Sequence, residues 1–194
     1  MIQLPAAYHL KKSICESSEL QFDIFKTKDF ISNRLLIQEK IIGYGLLFYF
    51  MNGKAVVRHK GKQVTYPFYR DGFKSWIKDK EEFMAEEIKD RLITFGVWPK
   101  KGHYINLPDL FLIHDIYDNK EKRFWSNQRI KKFCKILGMS SVPNITETCC
   151  HIDSIEKMSN QKAKFGINNI STVYLRYEDD WRVMERAQFC NSKN

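Results

Sequence analysis

The chain has 194 residues, of which 43% are apolar and 14% aromatic, so it can bury a sizeable core within one domain. Lysine and arginine number 32 against 23 acidic residues, and the formal net charge is +9. This excess indicates either a polyanionic partner such as RNA or DNA, or a basic surface that only faces solvent. No apolar run approaches the roughly 18 residues that cross a membrane, which excludes a spanning helix.

The cysteines indicate a reducing environment. Their number is odd, two are adjacent, and no C-x-x-C pair occurs, which argues against a disulfide framework. The N-terminal residues do not have the pattern of a signal peptide. We therefore expect an intracellular protein, in the cytoplasm, the nucleus or an organelle interior, without membrane contact. The cysteines are Cys15, Cys134, Cys149, Cys150 and Cys190.

The first clear elements follow a predicted turn over 38–43. An apolar and aromatic run then predicts a strand over 44–51. The dipeptide Asn52-Gly53 is a strong hairpin signal, and a strand predicted over 55–58 returns antiparallel to the first. A third strand is expected around 64–66, which completes an antiparallel meander.

Two helices are predicted on either side of further strands. Apolar residues at three- and four-residue steps indicate an amphipathic helix over 71–92. Strands follow at 93–98 and 110–117, and the second is apolar enough to be central in its sheet. Ser126 then caps a helix that ends at Gly138.

The C-terminal part returns to strands. A short helix capped by Asp153 is expected within 152–165, and strands are predicted over 172–177 and 182–189. Strands dominate, hairpins connect them and helices pack outside, which predicts an α+β fold with largely antiparallel sheets. Because no repeat or low-complexity linker interrupts the chain, we expect residues 1–194 to form a single domain.

Basic residues cluster on two predicted loops. Phosphate contacts from such clusters would give salt-sensitive binding with little sequence preference, and Tyr66, Phe68 and Tyr69 follow one of them and are suited to stacking on unpaired bases. The alternative is that these aromatic residues belong to the core and the lysines only solubilise the protein. The candidate nucleic-acid-binding residues are Lys54, Lys60 and Lys62 on one hairpin and Lys100 and Lys101 on another loop.

The histidines and cysteines do not predict a metal site. The histidines are scattered, and the triplet Cys149-Cys150-His151 is too tight to form a tetrahedral zinc set without ligands from elsewhere. We therefore predict no metal ligand among these residues.

Several segments match the motifs of one family in their order and spacing. Glu39-Lys40-Ile41-x-Gly43 is similar to a nucleotide-attachment motif. The other matching segments are Phe95–Trp98, Leu107–Asp118, Arg123–Arg129, Phe165–Gly166, Val173–Arg176 and Arg186–Phe189. Together they resemble the adenylyltransferase domain of small ATP-dependent RNA ligases, which are covalent nucleotidyltransferases. The resemblance covers about residues 30–190.

This resemblance implies a nucleotidyltransferase fold in which Lys40 is the nucleophile that attacks the α-phosphate of ATP. It implies ATP and Mg²⁺ as cofactors if the chain is active, and no certain cofactor otherwise. Residues 1–30 would form an N-terminal extension, and no separate C-terminal domain is expected. The nucleotide-binding residues that the resemblance implies are Glu39, Ile41, Gly43, Arg58, His114, Arg176 and Arg186.

The match fails at positions where the family's chemistry needs charged groups. Ile42 stands where an aspartate is expected, Val97 replaces a glutamate, and Ser171 replaces the glutamate of a Glu-Gly pair. Gln188 replaces the last lysine, and His114 replaces the aromatic residue that would cover the adenine. Because the loss of one preorganised electrostatic group costs about 10²–10³ in rate, we expect little ligation chemistry.

Three functions follow as hypotheses. We favour an RNA-ligase-like protein with eroded adenylation motifs that acts by binding nucleic acid, with RNA the expected partner. One alternative is an active or divergent ATP-dependent RNA ligase that uses Lys40 with acids such as Glu39 or Asp115 recruited from nearby. The other is a structural subunit that contacts the protein chains of a larger assembly.

Overall fold

A computed structural model describes residues 8–9, 23–52, 54–59, 62–63, 75, 86, 91–100 and 102–190. The chain divides into two compact units, each built around one β-sheet. The first unit comprises Met1–Lys40, Val142–Asp179 and Val183–Asn194, and the second comprises Ile41–Ser141 and Asp180–Arg182. The predicted α+β class with antiparallel-rich sheets is confirmed. Every helix in the described ranges is too short or too polar to pass through a lipid bilayer.

The first unit contains a five-stranded sheet. In spatial order its strands are β1 (Tyr8–His9), β12 (Val183–Cys190), β11 (Thr172–Glu178), β2 (Arg34–Glu39) and β10 (Asn144–Cys149). All neighbours pair antiparallel except β1 with β12. The helices α1 (Ile24–Ile31) and α3 (Ile152–Met158) belong to the same unit.

The second unit contains a sheet of seven strands. In spatial order they are β5 (Lys62–Gln63), β4 (Lys54–His59), β3 (Gly43–Met51), β6 (Leu92–Pro99), β7 (Leu112–Asp118) and β8 (Arg123–Phe124), and β9 (Ser140–Ser141) pairs with β7. Helix α2 (Asn127–Leu137) packs on this sheet. The apolar alternation of β3 places Leu46, Phe48 and Phe50 in the core, where α2 contributes Ile130.

Strand alternation gives the first unit one apolar sheet face. Leu35 and Ile37 of β2 pack with Val173 and Leu175 of β11, and all four side chains are fully buried. Helices α1 and α3 cover this face through Phe30 and Ile155, respectively. Residues at the intervening positions of the same strands therefore point to the other face of the sheet.

Local signals predicted several elements correctly. Strands β3 and β4 form a hairpin with a two-residue connection, and Asn52 has a φ of 53°, as the Asn-Gly turn requires. Ser126 accepts a hydrogen bond from the Arg129 backbone at the start of α2, and Gly138 adopts the left-handed conformation at its end. These predictions hold because each depends only on neighbouring residues.

Two assignments were wrong. Gln38 and Glu39 end a buried strand, β2, instead of forming a turn, because Leu35–Ile37 is a continuous apolar run that pairs on both sides. The N-cap of α3 is His151 and not Asp153, which lies in the first turn. The strand predicted at 64–66 lies outside the described residues. Of the helix predicted at 71–92, only residues 75, 86, 91 and 92 are described. Arg91 lies in a turn and Leu92 begins β6, so the predicted helix does not extend to these two residues. The single-domain expectation stays a prediction.

Candidate functional site

Lys40 directly follows β2, the strand that lies between β11 and β10 in the first unit. Its backbone N–H donates to the carbonyl of Thr172 over 3.1 Å, which extends the pairing of β2 with β11 by one residue. The Lys40 side chain is half-buried. A sheet hydrogen bond thus holds the backbone of this lysine, while its amine remains within reach of solvent.

The Lys40 amine contacts two side chains from the neighbouring strands. Its Nζ donates to Oε1 of Gln188 over 3.3 Å and lies 5.5 Å from the centroid of the Tyr174 ring. A cation at this distance is attracted by the negative face of an aromatic ring. Tyr174 pairs directly with Gln38 on one side and Gln188 on the other, so these side chains share one sheet face with Lys40.

A buried arginine lies on the same face, two residues beyond Tyr174. Arg176 is 1% exposed, its Nε donates to Glu178 over 3.0 Å, and its Nη1 donates to Oε1 of Gln38 over 3.5 Å. A buried guanidinium is tolerated only when it is paired in this way. Arg186 of β12 stands directly opposite Arg176 in register. We call the surface formed by Lys40, Arg176, Arg186, Gln38, Tyr174 and Gln188 the Lys40 face.

Glu39 points to the opposite side of the sheet. It is 2% exposed, pairs in register with Val173 of the apolar core, and its Oε2 accepts a hydrogen bond from the Lys164 backbone over 3.0 Å. Burial raises the pKa of this carboxyl, although Lys164 opposes the shift. Because strand neighbours alternate, the carboxyl is directed away from the amine of Lys40. This geometry argues against Glu39 as a recruited acid.

Other expected nucleotide-binding residues belong to the second unit. Ile41 is buried, and a Cβ on Gly43 would lie 2.3 Å from the carbonyl oxygen of Trp98. Only glycine therefore fits at position 43 beside β6. The backbone N–H of Ile42 donates to the hydroxyl of Tyr104, and Val97 is buried. Ile42 and Val97 stand where carboxylates were expected. The Ile42 side chain is partly exposed, and the Val97 side chain is buried.

His114 and Asp115 form a pair on β7. The register of β6 against β7 skips His114, so an extra residue is inserted there as a β-bulge. The bulge brings the side chains of these sequence neighbours together, with 2.9 Å between Nδ1 of His114 and Oδ2 of Asp115. Asp115, the other acid considered for recruitment, is therefore held by its neighbour. Arg58 is exposed and lies 5.7 Å from the Tyr49 ring centroid.

The predicted nucleic-acid-binding lysines are described only in part. Lys54 and Lys100 are exposed, and Lys54 begins β4. Lys60 and Lys101 lie outside the described residues, as does the side chain of Lys62. Their role in binding stays a prediction.

The Lys40 face suits an anion better than a metal ion. Lys40 and Arg186 are partly exposed and supply positive charge and hydrogen-bond donors, which match phosphate groups, whereas Arg176 is buried and paired with Glu178 and Gln38. Mg²⁺ prefers oxygen ligands, chiefly carboxylates. The side chains that contact the Lys40 amine are instead the amide of Gln188 and the phenol ring of Tyr174. Within the described ranges, no group of three histidine, cysteine or acidic side chains is placed to hold a metal ion.

Sequence reasoning missed three residues of this site. Gln38 lies two residues before Lys40. Tyr174 and Glu178 lie two residues before and two residues after Arg176. The period of two along strands was the signal that would have found them, once 34–39 was recognised as a strand.

Comparison with known proteins identifies the fold and the family. A family model described as RNA ligase matches residues 33–185. An RNA ligase of Naegleria gruberi solved with pyrophosphate superposes with a TM-score of 0.72 at 13% identity, over 98% of this chain. A mutant of that ligase with ATP and manganese gives 0.73 at 13% identity over 98% of this chain, and another with AMP and manganese gives 0.68 at 12% over 98%.

The chain covers 56% of each of these ligase chains, so it spans little more than half of their length. A search of curated protein sequences found no match. At such low identity the structural likeness establishes only the fold. The family model covers most of the chain and therefore establishes the family. The chain therefore belongs to the RNA ligase family and has its nucleotidyltransferase fold.

Proposed function

We propose that this chain is an RNA-ligase-like protein that binds RNA through its basic residues, including the Lys40 face, and carries out little or no adenylation. The observation that supports this most is the surroundings of the Lys40 amine. Gln188 and Tyr174 contact it, while the adjacent carboxylate, Glu39, is buried on the opposite side of the sheet.

Formation of a lysyl-adenylate would require the Lys40 amine to attack the α-phosphate of ATP while pyrophosphate leaves. Charge then develops on the phosphate oxygens, and cations or metal ions must stabilise it. Ile42, Val97 and Ser171 provide no carboxylate for a metal. Each missing group costs about 10²–10³ in rate, so their combined loss favours binding over catalysis.

The retained groups suit a phosphate backbone. Arg176 and Arg186 are opposite each other on adjacent strands, and like charges in such a pair are unfavourable unless an anion lies near them. Glu178 supplies one negative charge to Arg176. Arg186 and Lys40 lie on the same sheet face and are partly exposed, so they can contact RNA phosphates, and counterion release would make the binding salt-dependent.

The test combines two measurements on the full chain. Incubation with radiolabelled ATP and either Mg²⁺ or Mn²⁺ is expected to leave no covalent label, and single-stranded RNA is expected to bind at low salt and dissociate as salt rises. A label on the wild type that disappears in Lys40→Ala would overturn the proposal in favour of an active ligase. RNA binding that is undetectable at low salt would instead favour the structural-subunit alternative.

The active-ligase alternative has one specific observation in its favour. Lys40 keeps its place at the end of β2, half-exposed, in a fold whose solved relatives were captured with ATP or AMP and manganese. Manganese is included in the labelling experiment for this reason.

A further inference from the structure

A cavity of about 340 Å³ lies in the first unit, away from the Lys40 face. The C-terminal end of α1 lines one side with Lys28, Ile31 and Ser32. The segment between β10 and α3 lines the other side with Cys149, Cys150 and His151. Two thiols and two basic side chains thus border the same space.

Both adjacent cysteines line one cavity because the strand ends between them. Cys149 is the last residue of β10, and Cys150 already lies in the loop. Within a regular strand, neighbouring side chains would point to opposite faces. Cys149 is exposed, whereas Cys150 is half-buried and packs against the apolar core. The two sulfurs therefore differ in access to solvent.

The chemical environments of the cysteines differ in the same sense. Burial, followed by the neighbouring Cys149, raises the pKa of the Cys150 thiol. Burial also raises the pKa of Cys134 in the second unit to about 12. Only the thiolate form attacks a disulfide, so burial makes both of these sulfurs poor nucleophiles. Cys149 is the exposed cysteine, and Lys28, which lines the same cavity, carries a positive charge.

We propose that Cys149 is a modification site that forms a mixed disulfide with a small anionic disulfide of the glutathione class, bound in this cavity. The Cys149 thiolate attacks one sulfur of glutathione disulfide, and a new S–S bond forms as the bond of the reagent breaks. The other half leaves as glutathione and takes up the proton lost by Cys149. Lys28 holds a carboxylate of the reagent, and Ile31 contacts its carbon chain.

This site is independent of the Lys40 face. Cys149 pairs in register with Arg34, the first residue of β2, whereas Lys40 follows the last residue of that strand. Six residues of strand at about 3.3 Å each separate the two positions by about 20 Å. A negative result on RNA binding or adenylation would therefore leave this proposal unchanged.

The experiment treats the folded, reduced chain with glutathione disulfide and measures the modification of each cysteine by peptide mass spectrometry. In the folded chain, Cys149 is expected to react about tenfold faster than Cys190. Cys149 is also expected to react faster in the folded chain than in the urea-unfolded chain. Lys28→Gln is expected to slow the reaction of Cys149 several-fold, and Lys157→Gln, a charge-matched change of an exposed lysine on α3, is expected to leave it unchanged.

A second reagent separates charge recognition from thiol exposure. With uncharged hydroxyethyl disulfide, Lys28→Gln is expected to have no effect on the rate at Cys149. The proposal is overturned if Cys149 reacts no faster in the folded than in the unfolded chain. It is also overturned if Lys28→Gln changes neither the rate with glutathione disulfide nor the preference for it over the uncharged reagent.

Discussion

The two faces of the five-stranded sheet in the first unit are built from the same strands, yet they differ in chemistry. One face carries Leu175, Val173 and their neighbours and is covered by α1 and α3. The other carries Lys40, Arg176 and Arg186 with polar partners. Burial of apolar area, which stabilises the fold, explains the first face apart from the buried carboxyl of Glu39. Packing does not explain a buried arginine, since an apolar side chain of similar volume is often at least as stable. Apolar packing therefore does not account for the second face.

The adjacent residues Arg176 and Leu175 test the difference between the two faces most directly, since both are almost fully buried and point to opposite faces. Arg176→Ala is expected to lower the free energy of unfolding by about 3–5 kcal/mol, because it removes a buried side chain together with its ion pair to Glu178. Urea denaturation measures the change. Arg34→Ala is the control, since its ion pair with Glu147 is exposed and is worth about 0–1 kcal/mol. Equal effects of the two changes would contradict the importance of burial.

Leu175→Ala tests the apolar face. The change leaves a cavity in the core and is expected to cost about 2–5 kcal/mol, at the lower end if the neighbouring side chains relax. RNA affinity of the folded fraction is expected to stay unchanged, because the side chain points away from the Lys40 face. Fluorescence titration with RNA, at a temperature well below the unfolding midpoint of the variant, measures the affinity of the wild type and of Leu175→Ala. A loss of affinity comparable with that of a Lys40-face variant would show that the two faces are not independent.

Arg186→Gln tests the Lys40 face through its effect on RNA binding. The change removes one positive charge from the Lys40 face, and it is expected to weaken RNA binding and to lower the slope of log K against log salt by about one. Lys157→Gln removes the same charge from α3, which packs on the opposite face, and should change the slope less. Filter binding across a salt series gives both slopes. Identical slopes for the two variants would mean that binding follows net charge and not this face.

Glu39→Gln is expected to have the smallest effect, visible only in the pH dependence of stability. Burial raises the pKa of Glu39 in the folded chain above its ordinary value of 4.5, so the folded state binds its proton more tightly. Stability from this group is therefore full below pH 4.5 and declines as pH rises through the raised value. Thermal unfolding of both proteins over this range should show the stability of the wild type declining relative to that of the variant. Parallel curves would show that the carboxyl is not strained by burial.

Local chemistry made a large part of this fold predictable. The Asn52 hairpin turn, the Ser126 cap and the Gly138 end of α2 depend on residues a few positions apart, and all three are present. The motif around Lys40 and the family resemblance were also predictable, since both depend only on the order and spacing of residues along the chain. The strand at 34–39 was misread because an apolar run next to a lysine and two glycines has no distinct period.

The surroundings of Lys40 were beyond the reach of any local pattern. Gln188, which accepts its hydrogen bond, lies 148 residues away along the chain, and only the pairing of β11 with both β2 and β12 brings them together. The same register turns Glu39 toward the core, and a single bulge places His114 against Asp115. Side-chain direction in a sheet alternates with every residue, so register decides which neighbours meet, and register is settled by contacts between distant strands.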